Sequence, residues 1–231
     1  MNFYILTLFP EAVSGYFDSS MLWRAKKEKK ASFSIVNIRD FSKDKHKKTD
    51  GKPYGGGPGM VMSVSPIINA VSSIINKLKR RKTRISLGVV ITSASGKQFD
   101  NAKAIKIVKK FTDVVIIAGH YEGIDDRVKG VIKAVLKESD IKSSVEEISI
   151  GPYVLTGGEA PALVIVDSIV RQIPGVLGNS ESLEEKRVAS SKTYTRPEVY
   201  EYKGKKYRVP KVLLTGHHKN IETWRSGKNR E

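Results

Sequence analysis

The 231-residue sequence contains no cysteine. Disulfide bonds, thiolate nucleophiles and cysteine-ligated zinc or iron–sulfur centres are therefore excluded. Acidic residues are also in short supply, because 24 Asp and Glu stand against 41 Lys and Arg and leave a formal net charge of +17. Such an excess predicts a polyanionic partner. The alternative is a merely basic protein whose lysines form solvated helix faces.

The motifs of several common enzyme classes are missing as well. The glycine-rich segments match neither GxxxxGK[ST] nor GxGxxG, which disfavours a P-loop nucleotidase and a Rossmann dehydrogenase. No pair among the four histidines has the spacing of a zinc hydrolase, and no GxSxG elbow supports serine hydrolysis. The sequence therefore predicts no metal centre and no familiar hydrolase.

Long hydrophobic runs are absent too. The opening residues, MNFYILTLFPEAV, are apolar only briefly before Glu11 and carry no basic leader or small-residue cleavage site. We expect them to form the first core strand of a cytoplasmic protein with no membrane partner.

What the sequence does contain is an alternation of strand and helix patterns. The expected strands are 2–8, 32–38, 85–92, 113–118 and 145–150. The expected helices begin near Pro10 and Ser65, follow a cap at Asp100, and span 127–137 and 159–171. This order predicts an α/β fold with a mainly parallel sheet.

Glycine-rich loops follow three of the expected strands, at 92–96, 119–123 and 151–158. The carboxyl ends of parallel strands form the usual ligand crevice. Glycine also lets backbone N–H and C=O groups approach a ligand closely. Each loop alone serves equally well as a tight turn, but the three together predict a ligand cradle.

The sequence changes character after Pro174-Gly175, where it turns polar. We expect a first domain at 1–178, a linker at 179–193 and a second domain at 194–231. The second domain contains a basic hairpin near 200–209 and a short helix with Ile221 and Trp224.

Seven sequence blocks, in order over nearly the whole chain, form a specific combination. They are MNFYILTLFPE (1–11), Asp50 with PYGGGPGM (53–60), GHYEGIDDRV (119–128), EISIGPYVLTGGEAPA (147–162), RQIPGVLG (171–178), YTRPE (194–198) and VLLTGHHKNIETWR (212–225). Together they resemble the bacterial tRNA (guanine-37-N1)-methyltransferase family of the SPOUT superfamily. The resemblance implies a deep C-terminal trefoil knot in the α/β sheet and a small, mostly helical C-terminal domain that binds tRNA.

The same resemblance implies an activity and its partners. The enzyme would methylate N1 of guanine 37, 3′ of the tRNA anticodon, with S-adenosylmethionine as the donor, and would grip the anticodon arm as a homodimer with the active site between subunits. The implied cofactor contacts are Thr92, Ser93, Gly119, Tyr121, Glu122, Ile150, Gly151, Pro152, Tyr153, Val154, Leu155, Gly157 and Gly158. The implied substrate contacts are Asp50, Tyr54, Gly59 and Met60. Similarity to the family also implies a requirement for Mg²⁺. No metal-ligand motif in this chain supports that requirement.

Methylation of N1 requires a base for its proton and a cation near O6. The resemblance implies that Arg171 is the cation, although the residue pattern alone also fits a helix cap. The family's usual aspartate aligns without gaps with Lys186, so we predict that Glu185, rather than its neighbour Glu184, takes the role of base. A second departure is Pro152, which replaces a common acidic residue and has no N–H to donate.

Two alternatives stay open. Lys186 favours a catalytically silent relative that binds tRNA without modifying it. The other alternative is a SPOUT enzyme that acts on a different base or on ribosomal RNA.

Overall fold

The computed structural model describes residues 1–177 and 192–226, and the chain divides into two compact units, Met1–Val176 and Leu177–Glu231. The strands are β1 (Asn2–Thr7), β2 (Ser32–Asn37), β3 (Asp50–Gly51), β4 (Val61–Met62), β5 (Ser86–Gln98), β6 (Asp113–Ile117), β7 (Lys142–Ser149), β8 (Val199–Tyr202) and β9 (Lys205–Arg208). The helices are α1 (Glu11–Phe17), α2 (Ser20–Lys27), α3 (Val64–Lys79), α4 (Asn101–Lys110), α5 (Arg127–Glu138), α6 (Glu159–Arg171) and α7 (His218–Arg225). None of the helices in these ranges is long and apolar enough to cross a membrane.

A five-stranded sheet organises the first unit. Its strand order is β2-β1-β6-β5-β7, and all four neighbouring pairs run parallel. Every residue of the middle strand β6 is buried, as expected of a parallel strand that is covered on both faces. The predicted α/β class with a mainly parallel sheet is therefore confirmed.

Two hydrophobic cores lie on the two faces of this sheet. Successive strand residues point to opposite faces, so Phe3 and Ile5 of β1 pack into one core and Tyr4 and Leu6 pack into the other. The first core includes buried residues of α1, α2, α4 and α6, and the second includes those of α3 and α5. The result is a three-layer α/β/α unit.

Two elements of this unit differ from the sequence expectation. The single helix expected from Pro10 is divided into α1 and α2 at Asp18 and Ser19, and Ser19 has extended backbone angles. Strand β5 continues to Gln98 instead of ending at Thr92, because residues 93–96 leave the ladder and pairing with β7 resumes at Lys97. The glycine-rich loop after Thr92 is thus a bulge within a longer strand.

The second unit contains an antiparallel hairpin of β8 and β9, a 3₁₀ turn at Lys211–Leu214, and α7. The hairpin and the short helix follow the sequence expectation closely. The mostly helical character that the resemblance implied for this domain stays a prediction, because residues 178–191 and 227–231 lie outside the described residues. Tyrosine recurs at alternate positions of β8, and Tyr207 of β9 pairs with Tyr200, a use of aromatic residues that suits strands.

Candidate functional site

A cavity of about 300 Å³ opens at the bulge of β5 and at the carboxyl ends of β6 and β7. Eleven of the thirteen expected cofactor contacts line it, namely Thr92, Ser93, Gly119, Tyr121, Glu122, Ile150, Tyr153, Val154, Leu155, Gly157 and Gly158. The three loops come together because parallel strands place all their carboxyl ends at one edge of the sheet. Gly151 and Pro152, the other two, lie outside the lining, where the Ser149 hydroxyl donates to the Gly151 carbonyl at 2.9 Å.

The buried hydroxyl of Thr92 joins the walls of this cavity. It donates to the Ile117 carbonyl at 3.2 Å and accepts from the Gly119 N–H at 3.0 Å. The Gly119 carbonyl in turn accepts from the Gly158 N–H at 2.6 Å. One threonine and two glycines therefore connect the ends of β5 and β6 to the loop that precedes α6.

Close backbone approach explains the glycines at this junction. A Cβ atom at Gly158 would overlap the Thr92 hydroxyl and the backbone of Ala118 and Gly119, and one at Gly96 would overlap the backbone of β7 at Ile148. Any side chain at either position would force backbone to move. These two glycines are therefore needed for packing of the cavity wall, whatever ligand the cavity holds.

The loop that carries the expected substrate contacts is joined to the cavity through its end. The Glu122 N–H donates to the Met60 carbonyl at 3.0 Å, and the Glu122 carboxylate lies against Gly59, where a Cβ atom would overlap it. Asp50 pairs with Met62 in the β3–β4 ladder, and Met62 bonds on to the chain at Gly123 and Asp125. Asp50, Gly59 and Met60 thus approach the cavity rim, whereas the Tyr54 side chain is 98% exposed.

His120 also lines the cavity, although it is not among the expected cofactor contacts. Its ring packs against Phe9 with the centroids 4.7 Å apart, and its Nδ1 lies 3.7 Å from a Glu159 carboxylate oxygen. The other oxygen of Glu159 accepts a 2.6 Å hydrogen bond from the Thr7 hydroxyl. The sequence signal that could have placed His120 at the cavity was its position inside the GHYEG loop.

Asp125, just beyond this loop, is held in its charged form. The Arg127 guanidinium donates to both of its carboxylate oxygens, at 2.9 and 2.7 Å. These side-chain bonds, with a smaller contribution from the Arg127 N–H, lower the pKa of Asp125, although its partial burial acts in the opposite direction. The Asp125–Arg127 ion pair therefore stabilises the end of this loop, at the start of α5.

Arg171, the expected cation, ends α6, whose first residues adjoin the cavity. The expected base Glu185, together with Glu184 and Lys186, lies outside the described residues. Within residues 1–177 and 192–226 there is no group of three or more His, Asp or Glu side chains that could hold a metal ion.

Comparison with known proteins identifies the family to which this chain belongs. The profile described as tRNA (guanine-1)-methyltransferase TrmD matches residues 1–231. This chain belongs to the tRNA (guanine-1)-methyltransferase family. The expected family and enzyme class are thereby confirmed.

Individual members of the family are similar over almost their full length. A protein of Clostridium acetobutylicum named tRNA (guanine-N(1)-)-methyltransferase is 45% identical, covering 96% of this chain and 83% of its own. Proteins of the same name from Clostridioides difficile and Alkaliphilus oremlandii are 42% and 40% identical, covering 97% and 98% of this chain and 90% and 86% of theirs. The similarity thus extends over both units of the chain.

Proposed function

We propose that the protein transfers a methyl group from S-adenosylmethionine to N1 of guanine 37 in tRNA, 3′ of the anticodon. The observation that carries the proposal is the convergence of three glycine-rich loops on one cavity in a chain of this family. The net charge of +17 suits a tRNA partner, since phosphate contacts supply much of the affinity for nucleic acids. The site of action would then be the cytoplasm.

The cavity fits the proposed donor in size and in chemistry. Its volume of about 300 Å³ lies at the lower end of the range for small-molecule sites. Backbone groups of the glycine loops would hold the adenosine, while Tyr153, Val154 and Leu155 supply apolar and aromatic surface. When bound, the donor would supply a methyl carbon on positively charged sulfur, open to in-line attack by a nucleophile with the neutral thioether as the leaving group.

The chain's own residues would then manage one proton and one developing charge. N1 of guanine carries a hydrogen at neutral pH, which Glu185 would accept as general base. Loss of that proton moves negative charge toward O6, and the guanidinium of Arg171 would stabilise it. Asp50, Gly59 and Met60 at the cavity rim would position the base next to the donor.

The length of α6 supports a homodimeric site. The first residues of this helix adjoin the cavity and Arg171 ends it, so at 1.5 Å per residue Arg171 lies about 18 Å along the axis from Glu159. An arginine side chain is too short to cover that distance. Arg171 of a second copy would therefore complete the cavity of the first, with the active site between subunits.

Other finer features of the proposal come from family similarity. The first is a trefoil knot formed by the cavity loops. The second is the division into a methyltransferase domain at 1–178, a linker at 179–193 and a tRNA-binding domain at 194–231 that holds the anticodon arm. The third is a contribution from Mg²⁺.

The proposed activity is tested by incubating the protein with S-adenosylmethionine and an unmodified tRNA transcript, followed by primer extension. We expect reverse transcription to stop at guanine 37, because a methyl group on N1 blocks base pairing. A transcript with adenine at position 37 is the control and should give no stop. Binding of tRNA without any stop would favour the silent relative, and a stop at another guanine would favour a different specificity.

The assignment of the base is tested by Glu185→Gln in single-turnover methylation as a function of pH. We expect a large loss of rate below the pH at which N1 loses its own proton, and partial recovery above it, because the substrate then no longer needs a base. Glu184→Gln is the matched control and should keep the wild-type profile. An unchanged rate across the pH range for Glu185→Gln would reject the assignment.

A further inference from the structure

The hairpin of the second unit presents three tyrosines on one face. Tyr200 pairs directly with Tyr207, and Tyr202 pairs with Lys205. Residues that are directly opposite or two apart on a strand share a face, so these four side chains stand together. The three tyrosines are 50–61% exposed. Their rings therefore form an aromatic surface open to solvent.

Cations surround this aromatic face. The ammonium of Lys205 lies 5.4 Å from the Tyr207 ring centroid, and that of Lys203 lies 5.5 Å from the Tyr202 centroid. The opposite face of the hairpin carries Arg208 and the Glu201–Lys206 ion pair at 3.9 Å. The only carboxylate within the two strands is thus turned away from the tyrosines and partly neutralised.

Strand formation alone explains only part of this arrangement. Tyrosine favours strands, and the direct Tyr200–Tyr207 pair stabilises the hairpin without any partner. Tyr202 is different, because it stands beside the turn, opposite a lysine, and is 55% exposed. A flat, half-exposed aromatic ring next to cations suits a planar and anionic partner better than an apolar protein surface.

We propose that this tyrosine face stacks against unpaired bases of RNA, with the flanking lysines contacting the neighbouring phosphates. The inference rests on the proposed function for the identity of the RNA, a loop of the tRNA substrate, and deepens it by naming how the second unit recognises that substrate. Stacking on tyrosine depends little on base identity, because every base has a π face. The hairpin would thus contribute affinity without choosing the methylated position.

The test uses the full-length protein and a seven-nucleotide single-stranded RNA that carries 2-aminopurine, whose fluorescence is quenched by stacking. Tyr202→Val and Tyr207→Val keep good strand formers but remove the rings, whereas Tyr202→Phe and Tyr207→Phe keep the rings. We expect each valine variant to weaken binding about 5- to 100-fold, as for loss of one base–aromatic stack, and to lose the quenching. The phenylalanine variants should stay within about two-fold of wild type, since they keep the ring.

The matched control is Lys206→Gln on the opposite face of the same hairpin. Lys206 pairs with Glu201 and faces away from the tyrosines, so its loss removes only one positive charge near the RNA; it should change the slope of log affinity against log salt by less than one and leave the quenching intact. The valine variants should instead lose the quenching and keep the salt slope of the wild-type protein. Trp224 emission and thermal unfolding, measured on every variant, identify any change that arises from misfolding of the unit.

The outcomes separate this proposal from the proposed function. Valine variants that bind RNA and quench 2-aminopurine as wild type does would overturn stacking, even if wild-type protein methylates tRNA normally. So would a loss of affinity that disappears at high salt, or self-association through the tyrosines in place of RNA binding. Failure of wild-type protein to produce a primer-extension stop would reject the proposed function, while ring-dependent quenching would still support the stacking surface.

Discussion

The segments that follow the pairing regions of β5, β6 and β7 differ in chemistry from the amino edge of the same sheet. At the carboxyl edge, the segments 93–96, 118–123 and 150–158 contain no lysine or arginine and six glycines. At the amino edge, cations precede four of the five strands, in the segments 26–30, 77–84, 109–110 and at Lys142. Parallel strands place helix C-termini, the negative ends of their dipoles, at the amino edge, where cations are favourable. Strand polarity therefore separates the ligand cavity from this group of cations.

Arg171 provides the strongest test of this comparison. It lies at the end of α6, far from the cavity, and is nevertheless proposed to act in catalysis. We expect Arg171→Ala to lower the single-turnover methylation rate about 10²- to 10³-fold, as for loss of one group that stabilises transition-state charge. Binding of the demethylated donor, measured by calorimetry, should not change.

Mixing provides the control for that prediction. At a donor concentration that fills the wild-type cavity but not the weakened one, chains with Arg171→Ala and chains with Gly158→Ala should each have little activity, but random pairing should restore about a quarter of wild-type activity through mixed dimers. No recovery after subunit exchange would contradict a site built from two copies.

The buried carboxylate of Asp113 gives the next largest effect, at the amino edge. It accepts hydrogen bonds from Arg81 at 2.6 Å and from Asn2 at 2.9 Å and is fully buried. Arg81→Met would leave this charge without its counter-ion, and we expect unfolding to become easier by about 3 kcal/mol. Denaturant titration measures the change. Lys82→Met, at the next position in the same cationic segment, should shift stability by less than about 0.5 kcal/mol.

Gly158 sharpens the comparison at the carboxyl edge. Gly158→Ala should weaken binding of the demethylated donor about 30-fold, or about 2 kcal/mol, because the new Cβ displaces the Thr92–Gly119 junction. Gly130→Ala in α5 is the control, since a Cβ there meets nothing within 4 Å. That change should leave donor binding intact and stabilise the fold by about 0.5–1 kcal/mol. Equal donor affinities in the two variants would refute the role of close packing.

The smallest effect is expected from the exposed lysines that end α4. Lys109→Gln combined with Lys110→Gln should slow association with tRNA about two- to three-fold at low salt and not at 0.5 M salt, because steering by exposed charge is screened. Stopped-flow association measures this effect. Methylation at saturating tRNA should stay at the wild-type rate, and a slower chemical step would show that the amino edge takes part in catalysis.

Local signals in the sequence predicted much of the fold. Helix α6 has the predicted bounds 159–171, and the Asp100 side chain caps α4 by accepting the Lys103 N–H at 2.7 Å. The division between α1 and α2 was missed, because it depends on tertiary packing. Phe17 and Leu22 both reach the same core, and Phe17 stacks on Phe33 of β2 at 4.9 Å.

The site was predicted in its parts rather than in its connections. Glycine-rich loops at strand ends can be recognised one by one, and eleven of the expected contacts line the cavity. The contact of His120 with Glu159, and the hydrogen bond from Glu122 to Met60, join residues 39 and 62 positions apart. No local pattern carries such information, because it depends on how the loops meet in three dimensions.

The bulge in β5 is a segment whose length and sequence can vary without disrupting the sheet. Thr92 and Lys97 both pair with Ile148 of β7, so the register shifts across the four residues between them while the pairing of β7 continues without a gap. Adding or removing a residue between Ser93 and Ser95 would reshape one wall of the cavity and move no strand pair. Evolution can therefore alter the wall that faces a ligand independently of the scaffold that holds it.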